Sequence, residues 1–139
     1  MNVIIVGCGR VGAHLATSLD HRGDAVSVVD RNPSSFARLE SGFGGIAIRG
    51  TGIDEDVLRS AGVEGADAVL AVTDWDNTNL MAAQVAKVVF NVRFVAARVY
   101  DPVRAEIFGN MGITTISPTI TITNLLLDAL DSTESMVAD

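Results

Sequence analysis

Three features of this sequence predict a single α/β domain built on a doubly wound, parallel six-stranded sheet. Short runs rich in valine, isoleucine and alanine alternate with longer amphipathic segments, which is the pattern of β-α-β units. Most of the apolar runs lack a polar face, as strands do when helices cover both sides of a parallel sheet. Gly7, Gly9 and Gly12 directly follow the first run and open the first amphipathic segment, the context of a tight strand-to-helix turn. With 139 residues, 48% hydrophobic and 19% charged, the chain has enough apolar surface to offset ordering entropy for one domain. Disorder as the global state is thereby excluded.

The elements follow in order. The first strand is expected at Asn2–Val6, where Val3-Ile4-Ile5-Val6 runs into Gly7. A helix over Arg10–Arg22 leads to the second strand, Ala25–Val29, and a helix at Ser34–Glu40 to the third, Ile46–Ile48. Asp54, Glu55 and Asp56 mark the favourable, positive end of a helix over Asp54–Ser60. The fourth strand reads at Ala68–Val72, followed by a helix at Asp76–Phe90. The fifth reads at Phe94–Val99, followed by Pro102–Met111, and the sixth at Thr114–Ile116. In the last segment Thr119 to Thr123 alternates like a strand, whereas Ile122, Leu125, Leu126, Ala129 and Leu130 share one helical face. The helix, Thr119–Leu130, is adopted. Residues 131–139 are polar and expected to fray, leaving residues 1–130 as the domain. Right-handed crossovers arrange six such strands in the Rossmann-like order 3-2-1-4-5-6, with a crevice between the first and fourth.

Ten basic against 17 acidic residues give a formal charge of -7, which disfavours nucleic acid and anionic lipid as partners. The longest charge-free stretch, Ile107 to Leu127, contains Gly109, Asn110, Gly112, Ser117, Pro118 and Asn124, so no direct membrane insertion is expected. Cys8 is the single cysteine, and Met1 leads straight into a strand without a basic region or cleavage site. A cytoplasmic location is the expectation.

The loop after the first strand is Gly7-Cys8-Gly9-Arg10-Val11-Gly12. The glycines permit the tight turn, the approach of a phosphate and close helix-sheet contact, in that order. Asp30 ends the second strand, 18 positions after Gly12. A carboxylate there accepts the ribose hydroxyls of an adenosine and repels a 2′-phosphate, so NADP is disfavoured. Arg10 stands where acids are usually favoured; it either pairs with a bound phosphate or points into solvent. Arg31 either lies over an adenine or is a plain exposed arginine. Cys8 reads as a small spacer. In the loop after the fourth strand, Thr73, Asp74 and Asn79 meet the distal half of a nucleotide, or else Asp74 or Asp76 caps the next helix and Asn79 is a polar residue of its first turn. No catalytic constellation and no metal site are predicted. His14 and His21 lie on the first helix, and the acids have no histidine or cysteine companions.

Gly7 to Gly12, Asp30-Arg31, Gly50-Thr51-Gly52, Val72 to Asn77, Ala97-Arg98-Val99 and Gly112 to Pro118 together resemble the nucleotide-binding N-terminal subdomain of RCK proteins. These are also called KTN or TrkA-N domains, cytosolic regulators of Trk- and Ktr-type potassium uptake systems and of some potassium channels. The resemblance implies NAD(H) or ATP/ADP in the crevice and adds Gly50, Thr51 and Arg98 to the binding residues. It also implies a homodimer across the last helices, or a higher ring, peripheral to the inner face of the membrane through a potassium transporter or channel subunit. Some members carry a glutamate near the end of the sixth strand that helps bind a cation between subunits; Ser117-Pro118-Thr119 stands there instead, which argues against cation regulation at that place. The expected function is regulatory rather than enzymatic. The alternative is the cofactor domain of an NAD-dependent oxidoreductase without its substrate half.

Overall fold

The computed structural model describes residues 1–138. Its elements are β1 (Asn2–Val6), α1 (Arg10–His21), β2 (Ala25–Asp30), β3 (Ile46–Arg49), α2 (Glu55–Ser60), β4 (Ala68–Ala71), α3 (Asp76–Gln84), β5 (Phe94–Arg98), α4 (Pro102–Gly109), β6 (Thr114–Ile116) and α5 (Pro118–Ala138). The six strands form one sheet in the order β3-β2-β1-β4-β5-β6, and every pair is parallel. This is the doubly wound, Rossmann-like arrangement that the alternation of elements predicts.

Alternation of side chains along each strand splits the core into two layers. Ile4, Val6, Val29, Val69, Val95 and Ala97 pack with Leu58 of α2 and Leu80 and Ala83 of α3. Val3, Ile5, Val26 and Val28 face the other way, onto Ala13 and Ala16 of α1 and, less deeply, Phe36, Leu39 and Phe43. The central strand β1 is buried on both faces, which is why its sequence shows no polar alternation.

Three elements depart from expectation. The segment read as a helix at Ser34–Glu40 is a 3₁₀ helix over Pro33–Arg38. Asn32 opens it by accepting the Ser34 N–H at 3.1 Å, and six residues with Pro33 at the start favour the tighter turn. The long helix expected to Phe90 keeps α geometry only to Gln84; Val85–Val89 widen into a π turn. The β-branched Val85, Val88 and Val89 are crowded in an α-helix, and Asn91 then stops the chain at φ 54. The third departure corrects the expected frayed tail, since α5 continues through residues 131–138. No glycine or proline follows Pro118 to stop it, and the Thr133 hydroxyl bonds back to the Ala129 carbonyl at 3.0 Å. Asp139 lies outside the described residues. Among the described residues, no helix is long and apolar enough to cross a membrane.

Candidate functional site

The site is assembled where β1, β2 and β4 end. Gly7 takes φ +109, and a Cβ there would stand 2.9 Å from the Thr73 nitrogen, so the β1 turn passes tightly beneath the β4 loop. A Cβ on Gly12 would enter the Gly7 carbonyl oxygen, which is how α1 comes so close to the sheet. Gly9 is different. It is the residue before α1 and has nothing within 4 Å of where its Cβ would lie. A phosphate can therefore approach the free backbone N–H groups of the helix start, which carry partial positive charge.

Asp30 fixes this turn from the side. Its Oδ2 accepts the Cys8 N–H at 2.8 Å and its Oδ1 the Asn32 N–H at 2.8 Å. Each carboxylate oxygen keeps a second lone pair for a ribose hydroxyl. Arg38 donates from Nη1 to the Cys8 carbonyl at 3.3 Å, so both polar ends of Cys8 are tied to the β2 side. Burial pushes the Cys8 thiol up, the Asp30 carboxylate adds to this, and Arg38 partly opposes it. The thiol stays protonated at neutral pH and donates to the Ser35 carbonyl at 3.4 Å. It is a spacer that fits its slot.

The crevice is a cavity of about 370 Å³, within the range of small-molecule sites. Eight of the sequence-predicted residues line it: Gly7, Gly9, Asp30, Arg31, Gly50, Thr51, Thr73 and Asp74. Cys8 and Gly12 are buried behind the turn, and Arg10 and Val11 are exposed on the first turn of α1, outside the lining. Asn79 is fully buried beneath the β4 loop and holds it. Its Oδ1 accepts from the Thr73 N–H (2.8 Å) and hydroxyl (2.6 Å), and its Nδ2 donates to the carbonyls of Thr73 (2.9 Å) and Arg98 (2.8 Å). Arg98 also lies under that loop, donating to the Val72 and Thr73 carbonyls at 2.7 and 2.8 Å. Both position the wall of the crevice and stand outside its lining. The cap reading of the β4 loop is answered in detail by Trp75, which precedes α3 without a side-chain cap. Asp76 instead accepts the N–H groups of Tyr100 and Asp101.

Sequence reasoning missed Asn32, Ser35, Arg38 and Trp75, all of which line the cavity. The first three recur every third residue, so a 3₁₀ turn stacks them on one face; the Asn-Pro opening was the signal for such a turn. Among the described residues no group of three or more histidines, cysteines, aspartates or glutamates is placed to hold a metal ion.

Comparison with known proteins assigns this arrangement to a family. The model of the TrkA-N domain matches residues 3–118. The chain belongs to the TrkA-N domain family. It is similar to the Trk system potassium uptake protein TrkA of Streptomyces coelicolor, with 51% identity over 117 residues, covering 84% of this chain and 52% of that protein. The chain thus spans about half the length of this curated relative. Among solved structures, the TrkA-N fold superposes on the NAD(P)-binding domain of an exopolyphosphatase-related protein from Archaeoglobus fulgidus. There the TM-score is 0.78 at 26% identity, covering 94% of this chain and 98% of that one. It also superposes on the GsuK channel bound to NAD, with a TM-score of 0.70 at 23% identity over 84% of this chain and 21% of the other. The last likeness is one of fold.

Proposed function

We propose that this TrkA-N domain is the nucleotide-binding part of a cytoplasmic regulatory subunit of a potassium uptake system, in which NAD(H) or ATP/ADP in the crevice biases the shape of an oligomer attached to a membrane potassium transporter or channel. The observation that carries this reading is the pairing of an open Gly9 with Asp30, the one offering free backbone donors to a phosphate and the other a carboxylate to a ribose. The Streptomyces relative named for potassium uptake supports the biological setting, and the NAD-bound channel supports the ligand class. A binding role without catalysis suits the crevice, whose Cys8 thiol is buried and held protonated. His21 is engaged with Glu40 at 2.9 Å on the surface.

Calorimetric titration with NAD⁺, NADH, ATP, ADP and NADP⁺ tests the proposal. NAD⁺ should bind more tightly than NADP⁺, because a 2′-phosphate has no proton to give Asp30 and meets its charge. Asp30→Ala should weaken adenine nucleotides by about 1–3 kcal/mol through loss of a charge-assisted contact. Equal affinity for NAD⁺ and NADP⁺ in the parent chain would contradict the role of Asp30. Hydride transfer to a small substrate by the chain would instead favour the oxidoreductase alternative.

The same proposal places a homodimer, or a higher ring, at α5. Ile120, Ile122, Leu125, Leu126, Leu127 and Leu130 are all exposed, a larger apolar surface than a monomer ordinarily leaves to water. A recess of about 570 Å³ at the root of α5, lined by Val103, Ile116 and Ile120 among others, continues that surface at the sheet edge opposite Asp30. It lacks a glycine turn of the kind that opens α1 and continues an apolar surface, so we read it as part of the association face. A specific dimer would bury on the order of 1,000 Å² or more. Leu126→Asp is expected to shift the chain to monomer in sedimentation at tens of micromolar; a parent chain that is already monomeric there would remove this part of the proposal.

A further inference from the structure

The crevice differs in chemistry from one end to the other. β2 and β4 lie on either side of β1, so their ends are about 10 Å apart. Its lining cations, Arg31 and Arg38, both come from the β2 side, in the residues that follow Asp30. The β4 side contributes Asp74 and Trp75. Trp75 is the only tryptophan in the chain, and it is 72% exposed. An indole left open at the mouth of a cavity presents a large flat face with nothing stacked on it.

Asp74 has a defined orientation relative to its counter-ion. Arg98 Nη2 reaches Asp74 Oδ1 at 3.3 Å, but the arginine side chain is only 13% exposed and the aspartate 87%. The pair therefore stands with its cation beneath the loop and its carboxylate outward. The Thr73 hydroxyl accepts the Trp75 N–H at 3.2 Å, and Asn79 anchors Thr73 from below. Carboxylate and indole are thus carried on a loop whose backbone is held.

We propose that Asp74 and Trp75 form a distal subsite that selects the oxidised, cationic nicotinamide ring of a dinucleotide over the terminal phosphates of ATP. This rests on the nucleotide reading above. A ligand with its ribose on Asp30 and its phosphates at the Gly9 turn extends its remaining end over β4. An oxidised nicotinamide arriving there is planar and positively charged. It gains from the indole face and from the outward carboxylate. The γ-phosphate of ATP follows the second phosphate where a dinucleotide has its nicotinamide ribose, so it reaches toward the same loop without a ring for the indole and with charge of the same sign as Asp74. NADH keeps the flat ring but loses the charge, and falls between the two. Arg10, on the first turn of α1, lies outside the lining and leaves this end of the cavity without a lining cation.

The test uses calorimetry and the emission of Trp75 on the chain itself. NAD⁺ is expected to bind about tenfold more tightly than ATP, a difference of about 1.4 kcal/mol. It should quench Trp75, whereas ADP, which ends short of the subsite, should not. Trp75→Ala should weaken NAD⁺ severalfold and leave ADP unchanged. Asp74→Asn should raise the affinity for ATP and lower that for NAD⁺, closing the gap. Both side chains are exposed, so the variants keep the fold, and circular dichroism checks that they do. ATP binding as tightly as NAD⁺ in the parent chain, or Trp75→Ala weakening NAD⁺ and ADP alike, overturns the subsite and leaves the nucleotide site standing. Failure of all these ligands to bind overturns the nucleotide reading, and the subsite with it.

Discussion

Replacing Asn79 with leucine is expected to destabilise the domain by about 3–5 kcal/mol, as the loss of several buried hydrogen bonds at once. Leucine keeps the branching and heavy-atom count of asparagine, but its methyl groups are bulkier and the position is fully buried, so packing would accept the change only at the cost of some overpacking. Hydrogen bonding would not accept it. The Thr73 N–H and hydroxyl lose their acceptor, and the Thr73 and Arg98 carbonyls lose a donor. The Thr73 carbonyl keeps Arg98 Nη2, which is why the expected loss stays below the sum of four separate ones. Urea unfolding should show a lower midpoint with an unchanged slope. A change below about 1 kcal/mol would mean that the β4 loop relaxes to find other partners, and that Asn79 does not hold the crevice wall. The isosteric change Asn79→Asp is no rescue, since a carboxylate would face two carbonyl oxygens where the amide donates.

The same residue shows where sequence reasoning succeeds and where it stops. Strand order, the glycine turn and Asp30 were legible because each is a local pattern with one physical use: apolar runs on both faces, a missing Cβ at a fixed spacing, an acid at a strand end. Asn79 was left open between a ligand contact and a residue of the first helical turn, and Arg98 came only from the resemblance; the structure sets both beneath the β4 loop. A polar residue early in a helix reads the same whether it faces a ligand or the underside of its own loop. Only the packing of β4 against β5 decides, and that is a contact between residues 19 positions apart. Arg38 and Trp75 were missed for other reasons. The short turn after β2 follows a period of three rather than 3.6, and an exposed tryptophan has no sequence signature of its own. The length of α5 was underestimated because polarity was taken for disorder, although residues 131–138 contain no helix breaker.

Gly9 and Gly12 should separate binding from folding when each is changed to alanine. Gly12→Ala puts a methyl group inside the Gly7 carbonyl oxygen. That atom belongs to backbone locked between β1 and the β4 loop, so it cannot turn aside as a side-chain tip would. Helix α1 must move off the sheet, and a cost above about 3 kcal/mol is expected in thermal or urea unfolding. Gly9→Ala meets no atom within 4 Å, and the backbone there, φ -80 and ψ -161, suits any L-residue. Its stability cost should stay within about 1 kcal/mol, the difference between glycine and alanine at a helix start. The new methyl nevertheless projects where a phosphate must come close to the backbone. Affinity for NAD⁺ or ATP should drop by about 1.5–3 kcal/mol, the worth of one hydrogen bond to a charged group. Retained stability with lost binding in Gly9→Ala, against lost stability in Gly12→Ala, is the expected result. If Gly9→Ala binds as the parent does, the phosphates do not lie over this turn, and the pairing of Gly9 with Asp30 no longer describes the site.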